Sequence, residues 1–276
     1  MSQEQAAQVG RSARRAARSP ALERAARAGF AASGLVHLLV AYLALRVAWS
    51  GGGERADQSG ALSVLAENPF GQAVLWLTAL GCAALALWQV ADVVLDSRGE
   101  RDRPGRTAKD RAVRIAKGVG VGAVYTALAV SAARFAVGEG RSSSSQSRGL
   151  TARLLEQPGG RMLVVLIGVV VVVVGGYHCH KGVTRGFLDD LRENPGPAVV
   201  RLAMVGHVAK GVALVVVGLL FCLAGVRRSP GEAGGLDTAL KTLRDAPAGP
   251  YLLTAVALGI AAYGVYMFAR ARYAQL

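Results

Sequence analysis

Charge is scarce in this chain. Only 18% of its 276 residues are Asp, Glu, Lys or Arg, against 52% hydrophobic residues, where a soluble domain carries nearer a quarter charged residues. The charges are also segregated, so long apolar runs stay nearly free of them, and mean hydropathy is +0.35. These proportions exclude a disordered or collagen-like chain. Cysteine is scarce as well. Cys82, Cys179 and Cys222 are odd in number and each sits in or at the edge of an apolar run, which excludes a disulfide scaffold and reads them as small buried residues. The sequence has no G-x-S-x-G, no H-E-x-x-H and no Walker loop, so no hydrolytic or nucleotide-handling constellation is expected. Carboxylates in or beside the apolar runs occur only at their ends, notably Asp92, whereas a proton-coupled transporter usually carries one near the midplane.

What the chain has is apolar length. A helix crosses a bilayer with about 20 mostly apolar residues. Six stretches qualify: 28–49, 72–95, 113–137, 161–180, 203–226 and 251–269. The β-branched run Val169 to Val174 would suggest a strand in water, but its apolar surroundings favour a spanning helix. The first run is too long for the core of a signal peptide and lacks a cleavage site before Gly51, so it reads as an uncleaved helix. Ahead of it, residues 1–27 form a basic arm, with Arg11, Arg14, Arg15 and Arg18 on one helical face suited to anionic headgroups. The single membrane domain is 28–276.

The net charge of +14 would suggest nucleic acid in a soluble protein. Here the positive-inside rule and anionic lipid explain it, and no nucleic-acid partner is expected. Twenty Lys and Arg fall in the N-terminal arm, loops 96–117 and 181–202 and the C terminus, and nine in the opposite loops. That bias places both termini in the cytoplasm and the chain in the cytoplasmic membrane.

A repeat runs through the spans. Pro69, Pro158 and Pro247 are 89 residues apart, each two residues before Gly71, Gly160 and Gly249. The same step links Leu65, Leu154 and Leu243; Trp88, Tyr177 and Tyr266; and Asp92, Lys181 and Arg270. Gly29, Gly118 and Gly206 open the odd-numbered spans at nearly the same step. Three tandem copies of a two-helix unit follow, over 28–95, 113–181 and 202–270. Leucines at three- and four-residue spacing in Gly60–Glu67 and Gly235–Leu243 predict a short amphipathic helix in each outer loop, capped in the first copy by Asp57 or Ser59. Proline then ends it and Pro-x-Gly turns the chain into the next span. The fold class is therefore all-α: six transmembrane helices in three parallel repeats, expected about a pseudo-threefold axis. The aromatic positions are expected to form one interfacial layer, with the charged set one turn beyond.

The segments Ala28-Gly29-Phe30-Ala31-Ala32-Ser33-Gly34-Leu35-Val36-His37, Asp57-Gln58-Ser59-Gly60-Ala61-Leu62, Gly176-Tyr177-His178 with Lys181-Gly182, and Ala269-Arg270-Ala271-Arg272-Tyr273 resemble an actinobacterial membrane-protein family catalogued as a domain of unknown function, family number 1206. The resemblance runs from about Ala28 to Tyr273. It implies three repeats of two helices and brings no activity, ligand or catalytic residue with it.

Candidate sites are few. His178 and His180 flank Cys179, but residues two apart on a helix point about 200° apart, so they hold one metal ion only if the helix end unwinds; no metal and no cofactor is expected. Gly118-Val119-Gly120-Val121-Gly122 opens a span rather than following a strand, so it reads as a GxxxG packing face with Gly118 and Gly122 against a neighbour. Gly175-Gly176, Gly259 and Gly264 suggest similar surfaces. The candidate polar positions inside spans are His37, Arg46, Arg134 and Lys210. The three cations are expected to snorkel to headgroups, or Arg46 and Arg134 line an outer vestibule with Asp57 or Asp237. His37 needs a hydroxyl such as Ser131 or Thr126, or a carbonyl. Ser142 to Ser147 reads as a flexible outer linker.

No convergent polar set is legible. The first expectation is therefore a non-enzymatic structural or interaction protein, with lipid, protein partners or a second copy as its contacts. The alternative is a small-solute channel or transporter with a cavity among three hairpins.

Overall fold

Alanine, leucine and glutamate ahead of the first apolar run are strong helix formers, and Pro20 supplies the preset φ of a first helical position. The first helix accordingly begins before the apolar run does. In the computed structural model, which describes residues 20–50, 55–67, 69–99, 108–192 and 195–274, α1 spans Pro20–Ser50. The short α2 follows at Gln58–Ala66, then α3 at Pro69–Gly99. The order repeats with α4 at Ala108–Ala136, α5 at Ser143–Leu155 and α6 at Gly160–Val183. It repeats again with α7 at Pro197–Arg227, α8 at Gly235–Arg244 and α9 at Gly249–Tyr273. Each copy is long, short, long, and the six long helices are long and apolar enough to cross a membrane. Among the described residues there is no sheet, only an isolated bridge between Leu191 and Ala274. The basic arm up to residue 19, the arginine-rich stretch 100–107 and the side chains of Trp88 and Asp92 lie outside the described residues.

The repeat is kept down to single hydrogen bonds. Gln157 N donates to Leu154 O at 3.0 Å and Gly160 N to Gln157 O at 3.0 Å; Ala246 N donates to Leu243 O at 3.3 Å and Gly249 N to Ala246 O at 2.8 Å. The motif glycines show why the turn needs them. A Cβ on Gly71 would lie 1.9 Å from Leu65 O, one on Gly160 1.6 Å from Leu154 O, and one on Gly249 1.8 Å from Arg244 O. The last carbonyls of each short helix occupy the space a side chain would take. Pro69 is the first residue of α3; Pro158 and Pro247 lie within the turns that precede α6 and α9.

Gly159 caps α6 with φ +78°, and its repeat equivalent Ala248 caps α9 with φ +57°. A left-handed L-residue costs roughly 1–2 kcal/mol, offset in part by the greater freedom glycine loses on folding, about 0.5–1 kcal/mol. Ala248→Gly is therefore expected to stabilise the protein by roughly 0.5–1 kcal/mol, read as a small rise in unfolding temperature in detergent. No rise, or a fall, would contradict it.

The serine run departs from the expected flexible linker. Ser142 accepts from Ser145 N and caps α5, while Ser143 N donates to the buried Ser59 Oγ at 3.2 Å. Serine is a favoured N-cap, and the tie to Ser59 holds the run as the first turns of a helix. The predicted cap of α2 is Asp57, whose Oδ1 accepts from Gly60 N at 2.9 Å. Amphipathic character is clearest in α8, which buries Ala239 and Leu240 and exposes Thr242; α2 is enclosed on most sides.

The chain divides into two compact units, one containing α3 and α4 within residues 65–140, the other made of residues 30–64 and 141–276. In the first, α3 and α4 pack together, with Gly122 facing Gln89 at 3.6 Å from a would-be Cβ. That is ordinary contact. Gly118 and Gly122 are both buried, while Gly120 between them is exposed and meets nothing within 4 Å.

The tight packing is in the second unit. α6 carries Gly168, Gly175 and Gly182, and α7 carries Gly211, Gly218 and Gly225, each set at steps of seven. A Cβ on Gly168 would meet Gly218 O at 2.7 Å and Cys222 N at 2.7 Å; one on Gly175 would meet Gly211 O at 2.7 Å and Val215 N at 2.8 Å. Backbones lie directly against each other along two antiparallel helices, the geometry small residues allow in lipid. Cys179 and Cys222 fill the same seam, donating weakly to Val208 O and Val165 O. α9 joins α7 through Gly206, whose Cβ would lie 2.6 Å from Tyr263 Cα, and joins α1 through Gly34 and Gly264.

Candidate functional site

The pairs His207/Lys210 and Tyr263/Tyr266 are each three residues apart, so each places two polar-tipped side chains on one helical face. Because Gly206 brings α7 against α9, these faces meet. The His207 ring lies 5.1 Å from Tyr263, 5.1 Å from Tyr266, 5.1 Å from Phe187 and 6.1 Å from His178. Lys210 Nζ sits 4.2 Å above the Tyr263 ring, and His37 of α1 lies 4.9 Å from the same ring. Four helices thus contribute to one cluster of rings and one ammonium, all within the second unit.

Its members are tightly held. His207 and Tyr266 are buried, His207 at 2% and Tyr266 at 0% exposure. His207 Nδ1 lies 2.8 Å from Ala203 O and His37 Nδ1 2.7 Å from Ser33 O. A carbonyl only accepts, so each Nδ1 carries the proton and each Nε2 keeps its lone pair. The carbonyl partner expected for His37 is thus Ser33, while Thr126 donates to Gly122 O. Phe187, fully buried, is delivered by the segment after α6 and plugs the cluster at the end that carries the C terminus. That segment is fastened by Asp190, which takes Lys181 Nζ at 2.8 Å and Arg270 Nη2 at 3.4 Å, and by Arg192 N donating to Tyr273 O at 2.8 Å. Lys181 and Arg270 therefore share one carboxylate. Three buried polar atoms in and beside this cluster have no hydrogen-bond partner among the described residues: His178 Nδ1, Tyr266 Oη and Arg270 Nε.

The remaining sequence candidates separate. Lys210, partly buried, leans on the buried Tyr263 ring. Arg46 is exposed, its guanidinium 5.9 Å from the Tyr42 ring, and Arg134 is exposed in the last turn of α4. Asp57 and Asp237 do not line a vestibule. Both are buried; Asp237 accepts from Ala56 N at 3.0 Å and pairs with Lys241 at 2.9 Å. Tyr177 and Tyr266 occupy the same repeat position with different surroundings. Tyr177 is 59% exposed and Tyr266 fully buried, since α9 is covered by α7 and α1 at that point. His178, Cys179 and His180 face three ways, as 100° steps require: His178 to His207, Cys179 to the glycine seam and His180 outward. Among the described residues no three His, Cys, Asp or Glu side chains converge to hold a metal ion. His207, Tyr263 and Phe187 were not among the residues the sequence singled out as a polar site. The signal available was the three-residue spacing of polar-tipped residues in otherwise apolar helices.

Six apolar helices in three long–short–long copies, with a polar cluster enclosed between spans, define a multi-pass membrane protein built by tandem repetition. The chain belongs to the family described as Domain of Unknown Function (DUF1206), whose model matches residues 28–96, 116–185 and 205–274. It is 29% identical over 259 residues, 92% of each chain, to an uncharacterized protein of Bacillus subtilis (strain 168), YxxB. No solved structure matches.

Proposed function

We propose that this protein binds a small solute at the His37–Tyr263–Lys210–His207 cluster and acts as a channel or transporter of the cytoplasmic membrane, without catalysis. The observation that carries this reading is the convergence itself. The case for a purely structural or interaction role rests on the lack of a convergent polar set in the sequence. Ionisable groups enclosed between membrane helices are costly and usually serve a pathway or a ligand. The cluster offers rings, an ammonium and hydrogen-bonding atoms, and its one carboxylate, Asp190, is already held by two cations; this suits binding and passage rather than covalent chemistry.

Electron cryo-microscopy of the chain extracted from its native membrane tests the reading. Non-protein density against Lys210 and His207 is expected. Density only from a second polypeptide on the outer faces would replace it with the interaction role. For orientation, the twenty-to-nine bias in Lys and Arg supports cytoplasmic termini and anionic lipid around that end. Reporter fusions after Gly52, Ser144 and Pro230 should behave as exposed on the side opposite the cytoplasm. Cytoplasmic behaviour at all three would reverse the orientation.

A further inference from the structure

We propose that the solute bound by this cluster is an anion, with a carboxylate or phosphate group, and that the Lys210 ammonium is its counter-ion. The inference rests on the solute-site reading above and names the ligand class for it.

The charge balance points this way. Three cations belong to this cluster and its margin: Lys210 against the Tyr263 ring, and Lys181 and Arg270 on Asp190. The single carboxylate paired among them is Asp190, and it is shared by Lys181 and Arg270. Lys210 has no carboxylate partner among the described residues; its ammonium rests on the Tyr263 ring. Tyr263 lies seven residues before Arg270 on α9, about 10 Å along the axis. The ammonium therefore sits well inside the Asp190 ion-pair layer. Placing a charge inside a membrane protein is costly, and a ring beneath it returns only part of that cost. An anion beside Lys210 offsets the remainder. A second observation concerns donors. The Tyr266 side chain, one turn before Arg270 on α9, has no exposure, yet its hydroxyl is unpartnered among the described residues. It is a hydrogen-bond donor, and an oxyanion accepts from donors of this kind. The His207 Nε2 lone pair suits a ligand that also carries a hydroxyl or a protonated oxygen.

The same oxyanion chemistry is available from a free solute or from a lipid headgroup, and the test separates them. The full chain is placed in nanodiscs of phosphatidylcholine alone and titrated with inorganic phosphate at constant ionic strength, followed by calorimetry. A parallel set contains one part in about five phosphatidylglycerol and is followed by thermal unfolding. Wild type is compared with Lys210→Met, with Lys210→Arg, which keeps the charge, and with Arg141→Gln, which removes one exposed charge from the opposite end of the second unit.

Saturable phosphate binding in phosphatidylcholine discs, weakened at least tenfold in Lys210→Met and kept in Lys210→Arg and Arg141→Gln, supports a free anion. Stabilisation by phosphatidylglycerol alone, lost in Lys210→Met, supports a headgroup. If neither probe acts, or if folded Lys210→Met responds like wild type, the proposal is overturned. Should Lys210→Met not fold, Lys210→Gln takes its place in the same comparison. No response to either anion from protein that still carries native density beside Lys210 overturns the anion assignment and spares the solute reading. Absence of that density as well defeats both.

Discussion

Leucine at Gly175 is expected to leave little or no folded, monodisperse protein, whereas leucine at the adjacent Gly176 is expected to be tolerated. The two positions differ only in the direction they face. A Cβ on Gly175 would lie 2.7 Å from Gly211 O and 2.8 Å from Val215 N, while one on Gly176 meets nothing within 4 Å. Backbone atoms of a packed helix cannot yield as the end of a long side chain can. Overpacking costs about 1–3 kcal/mol in ordinary cores and more where nothing gives, and lipid does not replace the close backbone packing once α6 and α7 part. Gel filtration in detergent with a thermal melt of any folded peak reads the result. A Gly175→Leu protein that elutes and melts like wild type would show that the seam is not closed as described.

Gly160→Ala should lower the unfolding temperature by on the order of 10 °C, from a cost near 3 kcal/mol. Its added methyl falls 1.6 Å from Leu154 O, the carbonyl that ends α5. Gly159→Ala is the control. Its φ is +78° and its surroundings are open, so it should lose only about 1–2 kcal/mol to left-handed strain, and the repeat already seats an alanine at the equivalent Ala248. Equal losses at the two positions would refute the steric account. The same contrast applies to Gly249, whose Cβ would lie 1.8 Å from Arg244 O.

These two cases separate what is legible in the sequence from what is not. The Pro-x-Gly step of 89 residues announces the turn glycines, because the clash that requires them is local: helix end and span start are six residues apart. The glycine seam is also written in the sequence, as steps of seven in two consecutive spans, but seven-residue spacing identifies a face and not its partner. Gly118 and Gly122 carry an equally good small-residue pattern, and in the fold Gly122 makes only ordinary contact with Gln89. The serine run 142–147 misleads for a similar reason. Its composition is that of a linker, and what orders it is a cap plus Ser59, far away in the chain.

By itself the sequence determined the all-helical membrane architecture, the six spans, the threefold repetition and the turn chemistry. All follow from short-range physics: the bilayer sets a length, and steric rules set the turns. Only the tertiary structure decided that His37, Lys210, His207 and Tyr263 meet, that Lys181 and Arg270 share Asp190, and that Tyr177 is exposed where Tyr266 is enclosed. Those outcomes depend on which helix covers which face. Repeated sequence gives equivalent positions the same local geometry, but each copy has different neighbours, and the neighbours decide whether a polar side chain faces lipid or a partner.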